Sequence, residues 1–314
     1  MIISENWLRE WVDFDVSFDD LPELLTQAGL ETGAVSIVPA LAEGIVAARV
    51  ELVTAHPNAD GLSVCEVDGG RPERYQIVCG AENVRAGMVT VLATPDTVLV
   101  NGQKISNQDL RGVNSEGMLC SGSELGLDDQ SSGILELDPH LTPGQKLDEH
   151  LQLPDRVFEV ELTPNRGDCL SILGVARETA TVTHGTLKEP TIKKIEPKSK
   201  ETRSITLDKP DDCPRYVGRV LSGVSPSTRS PDIIRERLRR SDVRSVDALV
   251  DITNYLMLET GQPMHAFDND RLKDGIVVRR AKPSEQLTLL DGQELTLNKD
   301  NLVIADGSGP IALG

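Results

Sequence analysis

The chain has 314 residues, 39% hydrophobic and 26% charged, and a net charge of -18. That length allows two or three domains, and aromatics at only 3% leave Leu, Val, Ile and Ala to build the cores. No apolar run approaches the ~20 residues of a membrane span, the start MIISENWLREW lacks a secretory pattern, and the acidic excess opposes nucleic acid unless a local basic patch intervenes. Five cysteines, Cys65, Cys79, Cys120, Cys169 and Cys213, are scattered and never spaced C-x-x-C. This argues against a zinc site and a disulfide framework, and for small buried thiols in a reducing compartment.

Ser4 is placed to cap a short helix in which Trp7, Leu8 and Trp11 fall at helical spacing. A second helix is expected over 21–28, stopped by Gly29. From Gly44 the run GIVAARVELV reads as a strand. HPNAD, at 56–60, is turn chemistry. LSVCEVDGG alternates apolar and polar, with Leu62, Val64 and Val67 as inward positions. RYQIVCG and GMVTVLAT add two strands, and GILEL at 133–137 another. Short strands closed by Gly turns suggest a small β-barrel. FEVELTPNRGDCLSILGVARETATVTHG predicts a strand, a loop at 164–168 and a helix ending near Gly185.

The segment KEPTIKKIEPKSKETRS is rich in Lys, Glu and Pro and reads as a linker, with a domain boundary near residue 200. A third unit starts at Ser204, with strands at SITLD and YVGRVLSGV, a helix from Pro231, and strand-like runs at GIVVRR and NLVIA. In PDIIRERLRR, Ser230 is placed as N-cap with Pro231 in the first turn, and Ile234 and Leu238 make an apolar stripe. Arg235, Arg237, Arg239, Arg240 and Arg244 form the densest basic cluster. Two readings stand: a solvated face with Glu236–Arg240 pairing, or an approach for RNA.

Three blocks carry a resemblance. HPNADGLSVCEVDGG, QIVCGAENVRAG and LRGVNSEGMLCSGSELGL resemble, in order, the tRNA-binding OB-fold module. ELTPNRGDCLSILGVARE follows it. CPRYVGRVLSGV and RSVDALVDITNYLMLETGQPMHAFD, then DGQELTL and LVIADG, are similar to phenylalanyl-tRNA synthetase β subunits of bacterial type, a resemblance that covers the whole chain. It implies an α+β multidomain fold, with an OB-fold β-barrel inserted in an N-terminal α+β domain and followed by the start of an α+β editing domain. The boundaries expected are 1–38 with 151–190, 39–150, a linker at 191–203, and 204–314. Two departures occur: Gly61 stands where Lys often follows HPNAD, and ATPDTVLV with Asp96 replaces a Gly-rich turn. Residues 40–150 hold 7 basic against 17 acidic residues.

The resemblance implies a subunit that attaches phenylalanine to its tRNA with an α subunit, in an α2β2 assembly in the cytoplasm. The alternative is a non-catalytic tRNA-binding or subunit-assembly module. ATP and Mg2+ serve the whole enzyme, with none expected bound here and no metal ligands assigned. The editing role is hydrolysis of tyrosine misjoined to phenylalanine tRNA. By resemblance His265, Asn254 and Thr253 take catalytic roles and Gln262 and Arg244 binding roles. His265 orients the terminal adenosine or the water; Asn254 and Thr253 offer neutral donors; Gln262 does likewise or holds the loop before Pro263; Arg244 meets phosphate or substrate. Arg166 and Asp168 read as a site pair or as a loop with a capping Asp. The family also implies a glycine-rich stretch and a tyrosine-reading Glu after PIALG, so that 204–314 is expected to be C-terminally truncated.

Overall fold

A computed structural model describes residues 1–127, 133–225 and 228–314. They form two compact units, Met1–Pro190 with Arg229–Met264, and Thr191–Thr228 with His265–Gly314. Among the described residues no helix is long and apolar enough to cross a membrane.

The first unit begins with β1 (Ile2–Ser4), α1 (Glu5–Trp11), β2 (Val12–Asp13), α2 (Leu21–Gln27), β3 (Glu31–Thr32) and β4 (Ser36–Val38). Ser4 starts α1 as the sequence predicts: it is extended and its Oγ accepts the Trp7 N–H at 3.2 Å. The helix buries Trp7, Leu8 and Trp11. The chain then passes through β5 (Ile45–Ala55), β6 (Ser63–Asp68), β7 (Tyr75–Cys79), β8 (Val89–Ala93), β9 (Gln108–Leu110), β10 (Val113–Ser115) and β11 (Met118–Leu119). After these come α3 (Asp148–Leu151), β12 (Asp155–Glu161), a 3-10 turn (Pro164–Cys169), α4 (Ile172–Thr183) and β13 (Thr186–Leu187). β12 pairs antiparallel with β1, β3 and β4, and β13 with β2. Segments more than 100 residues apart thus share one sheet and one core, in which Phe158 meets Phe18 at 5.1 Å.

The middle of this unit is a five-stranded antiparallel sheet of order β11-β8-β5-β6-β7. β5 changes partners along its length. Ile45–Arg49 pair with β8 and Arg49–Ala55 with β6, with a register shift after Val50. That bend brings the sheet round on itself. Its β7 edge is met by the β10–β11 junction, where the Glu116 N–H donates to Gln76 O at 2.8 Å and Ser115 Oγ accepts the Val78 N–H at 3.0 Å. The barrel is nearly closed. β8 is buried on both faces, which explains its mostly apolar run; its one polar residue, Thr90, donates its hydroxyl to Leu135 O at 2.6 Å.

Several sequence expectations need correction. Along β6 the fully buried residues are Cys65 and Val67, while Val64 is only half-buried, because a period of two puts 65 and 67 on one face. GILEL forms a single bridge, Thr90 to Glu136, rather than a strand. YVGRVLSGV pairs with nothing among the described residues, and Val217 and Leu221 are exposed; Gly218 and Gly223 weaken any strand there. The sequence also leaves unassigned a thirteen-residue helix, α6 (Ala248–Thr260). Its Val, Ile, Thr and Tyr content lowers helix propensity, but Asp247 and Gly261 bracket it with cap signals.

The helix at Pro231 is α5 (Asp232–Arg240); the expected Glu236–Arg240 pair is present at 3.4 Å, but Arg237 and Arg240 are buried, so neither a solvated face nor an approach for RNA describes them. It packs into the first unit rather than facing solvent. Arg240 Nη1 donates to Asp155 Oδ2 at 2.9 Å, with side-chain exposures of 1% and 0%. Arg237 Nη1 donates to Tyr255 Oη at 2.9 Å, and its other Nη bonds Glu10. Its guanidinium also lies 5.0 Å from the Trp7 ring, which stacks on Tyr255. Ser230 is not the cap, since Pro231 holds that position; the Ser230 hydroxyl bonds the fully buried Asp251. The partners come from residues 10, 155 and 255, so local sequence could not reveal them.

The second unit is a four-stranded sheet of order β14-β15-β18-β19, from β14 (Ile205–Leu207), β15 (Ile276–Arg280), β18 (Leu302–Asp306) and β19 (Gly309–Leu313). β14 and β15 run parallel; the other pairs are antiparallel. A hairpin of β16 (Gln286–Thr288) and β17 (Glu294–Thr296) adds Leu287 to a small core with Val303 and Ala305.

Candidate functional site

The nominated residues are distributed over both units. Arg244, Thr253, Asn254 and Gln262 lie on or beside α6 in the first unit, and His265 lies in the second. α6 starts where Asp247 accepts the Leu249 and Val250 N–H groups at 2.8 and 3.0 Å. It ends at Gly261, whose φ of +79° suits a residue without a Cβ. Thr253 and Asn254 are half-buried neighbours in its middle. The Thr253 hydroxyl donates to Val250 O at 2.8 Å, so its lone pairs remain to accept. Among the described residues the Asn254 amide has no hydrogen-bond partner, leaving donor and acceptor both available. Gln262 is exposed just beyond the C-cap and donates to Pro263 O at 3.2 Å. Arg244 is exposed three residues before Asp247 and has no ion-pair partner among the described residues.

A thirteen-residue helix is about 20 Å long, so Arg244 and Gln262 stand at its opposite ends. The helix therefore brings Thr253 and Asn254 together but separates the two binding candidates. In the second unit the exposed His265 ring lies parallel to Phe267, 5.8 Å between centroids and 4° between planes. The set comprises a hydroxyl, two amides, a guanidinium and an imidazole. Each is a side chain that can donate or accept a hydrogen bond.

The second candidate, Arg166 with Asp168, resolves into a closed network. Arg166 donates to both oxygens of Asp168 at 3.1 and 3.2 Å, to Cys169 Sγ at 3.0 Å and to Glu178 Oε2 at 2.8 Å. These bonds hold Asp168 below the usual carboxylate range and raise Arg166 further. Burial pushes the Cys169 thiol up to about 11. Asp168, Cys169 and Glu178 are spaced to hold a cation, but the guanidinium already donates to all three. The helix cap there is Ser171, which accepts the Gly174 N–H at 3.0 Å, not Asp168.

The barrel surface is the third candidate. Arg71 pairs with Glu116, Arg74 with Asp68, Arg85 with Glu136 and Lys104 with Asp96. Arg49 donates to Pro139 O at 3.0 Å. Arg111 and Lys146 are exposed and have no ion-pair partner among the described residues. HPNAD acts structurally. The buried His56 accepts the Asn58 N–H at Nδ1, 3.1 Å, which fixes Nε2–H as donor to Leu110 O at 3.0 Å. Asn58 Nδ2 donates to Arg111 O at 3.0 Å. The motif therefore clamps the β9–β10 turn, a link that no local reading of a Pro-Asn turn contains.

Two family models match this chain. One, described as "Putative tRNA binding domain", covers residues 45–146. The other, the B3/4 domain, covers residues 212–314 and takes in all five nominated residues. The chain thus matches, in order, a tRNA-binding domain model and a B3/4 domain model. Over its whole length it is similar to phenylalanine–tRNA ligase β subunits. It is 49% identical to that of Hahella chejuensis, 50% to that of Nitrosococcus oceani and 47% to that of Pectobacterium atrosepticum, in each case over 100% of this chain and 40% of the relative. The chain spans about two fifths of the length of these relatives.

Proposed function

We propose that this chain acts as part of a phenylalanine–tRNA ligase β subunit, contributing tRNA contacts and one wall of a hydrolytic editing site. The observation that carries this is the identity of 47–50% along the entire chain, through both matched domains. In this reading residues 39–150 are an OB-fold module inserted between 1–38 and 151–190. Residues 191–203 are a linker, and 204–314 begin the editing domain. The partners are an α subunit, in an α2β2 assembly, and phenylalanine tRNA in the cytoplasm. ATP and Mg2+ belong to amino-acid activation, which this reading assigns to the α subunit.

The need for editing is physical. Tyrosine differs from phenylalanine by one hydroxyl, and a pocket shaped for the ring rejects it by only about 10²-fold. A second pocket that hydrogen-bonds the hydroxyl sorts the other way, because phenylalanine leaves its polar groups unpaired. Ester hydrolysis then needs a placed water and a held ribose. Thr253 and Asn254 supply neutral donors and acceptors for these and His265 a ring nitrogen, with Gln262 and Arg244 binding substrate or phosphate. In the complete ligase, His265→Ala is expected to raise tyrosyl-tRNA accumulation while phenylalanine charging stays near normal. Unchanged editing in that variant would remove His265 from the site.

A second reading, that the barrel serves subunit assembly, draws on its charge: 7 basic against 17 acidic residues over 40–150. Copurification of the α subunit with a barrel-deleted β subunit would count against it.

A further inference from the structure

We propose that the Arg111–Gly112 turn is the barrel's phosphate contact for RNA, with His56 and Asn58 as its positioning residues. This rests on the tRNA-contact reading above and assigns it to one place. β9 and β10 are joined by a two-residue turn in which Leu110 pairs with Val113. Both turn residues lie in the left-handed region, Arg111 at φ +54° and Gly112 at +86°. A hairpin turn of this kind is best served by Asn-Gly or Gly-Gly, and an arginine in its first position is strained. Nothing in the turn itself asks for a guanidinium. Strain held in place by surrounding structure points to a use for the residue that bears it.

The surroundings hold it from three sides. His56 Nε2 donates to Leu110 O at 3.0 Å, Asn58 Nδ2 to Arg111 O at 3.0 Å, and the Gly112 N–H to Asp109 Oδ1 at 2.8 Å. The backbone is fixed while the side chain projects, exposed and without an ion-pair partner among the described residues. A planar guanidinium on a fixed base suits a phosphate, which it can meet with two parallel N–H bonds.

The charge inventory singles out this residue. Five of the barrel's seven cations are engaged: four in ion pairs and Arg49 on a carbonyl. Lys146 bridges Val46 at the start of β5, whereas His56 follows its end. Ten strand residues separate those ends by roughly 30 Å, so Lys146 cannot share a phosphate with Arg111. The acidic barrel makes no steering field. Its contribution is one local contact, with a correspondingly shallow salt dependence.

The test is equilibrium binding of phenylalanine tRNA to the chain across a salt series, comparing wild type with Arg111→Gly. Glycine relieves the strain, so this variant is expected to melt no lower than wild type, and a change in binding then reports the side chain. The slope of log K against log salt should flatten by about one unit, and affinity at 0.1 M salt should fall roughly tenfold, the factor that one phosphate contact contributes between 1 M and 0.1 M salt. Arg111→Lys should keep the slope and recover part of the affinity. Asn58→Ala should weaken binding less than Arg111→Gly. If wild type binds tRNA with a salt-dependent affinity and Arg111→Gly matches it in both slope and affinity, the assignment is wrong while the tRNA-contact reading stands. If wild type shows no salt-dependent binding, the reading fails and takes the assignment with it. Loss of α-subunit association with unchanged tRNA binding would make the turn a protein contact and overturn the proposal.

Discussion

Arg240 and Asp155, 85 residues apart, form an ion pair at 2.9 Å with side chains 1% and 0% exposed. Asp155 also accepts the Ser4 hydroxyl at 2.6 Å, and the Asn6 N–H at 3.1 Å. One carboxylate therefore fastens β1, α1, β12 and α5. Removing it leaves a buried guanidinium with only the longer Glu236 contact, at 3.4 Å, and the Leu151 carbonyl, so Asp155→Ala is expected to cost about 3 kcal/mol, the low end for breaking a buried pair. Urea unfolding of the chain measures this; a loss below about 1 kcal/mol, the range of exposed pairs, would mean that water reaches the pair.

Gly174 sits where α4 meets the preceding 3-10 turn. A Cβ there would lie 2.1 Å from Asp168 O and 2.8 Å from Cys169 Cα. Both obstacles are backbone, which cannot swing aside like a side chain. Gly174→Ala should destabilise by about 1–3 kcal/mol through overpacking, against a gain if only helix propensity counted. Thermal unfolding distinguishes the two signs.

Acid should loosen the second unit. Arg279 bonds Glu285 through both Nη atoms at 2.7 and 2.8 Å, and this holds the carboxyl at about 2 instead of 4.5. For Asp306, burial acts upward, but the Ser308 hydroxyl and backbone N–H groups outweigh it and bring it to about 2. A depressed carboxylate contributes stability that is complete above its unfolded pKa and lost as pH falls through the folded value. The urea midpoint should be flat above about pH 5 and fall between about 4.5 and 2. Glu285→Gln should make that fall shallower, and an unchanged slope would dissociate the pair from acid stability.

Thiol chemistry should be confined to one residue. Burial pushes Cys65 and Cys120 up to about 12 and Cys169 to about 11, and raises Cys79. Cys213 is the cysteine that is not buried. Native maleimide labelling should modify about one thiol per chain quickly, and Cys213→Ser should abolish that fast phase. Fast labelling of two or more would show that a core opens.

Legibility of the fold followed the range of the interactions. The Ser4 cap, the stop at Gly29, the strands around Cys79 and Leu92 and the α4 segment are local patterns, and they were readable. The fate of α5 was not, because Asp155, Tyr255 and Glu10 are remote in sequence and only folding shows that Arg237 and Arg240 face inward. α6 has no clear periodic signature in the sequence, since its apolar residues run nearly all round it and blur the period of 3.6. At the candidate site the block RSVDALVDITNYLMLETGQPMHAFD carries the nominated residues but not their placement. Thr253 and Asn254 adjoin on α6, Arg244 and Gln262 sit at its two ends, and His265 lies in the other unit.

The first unit draws its last two helices from beyond a long excursion of the chain, since residues 191–228 belong elsewhere. This imposes an order on synthesis. When β12 leaves the ribosome, Asp155 has Ser4 available, but Arg240 is still 85 codons away. At about 5–20 residues per second that interval lasts roughly 4–17 s. Through it the nascent N-terminal core must hold a carboxylate shaped for a cation that has not yet been made, with the Trp7 ring still uncovered by Tyr255. Only the arrival of α5 supplies that cation.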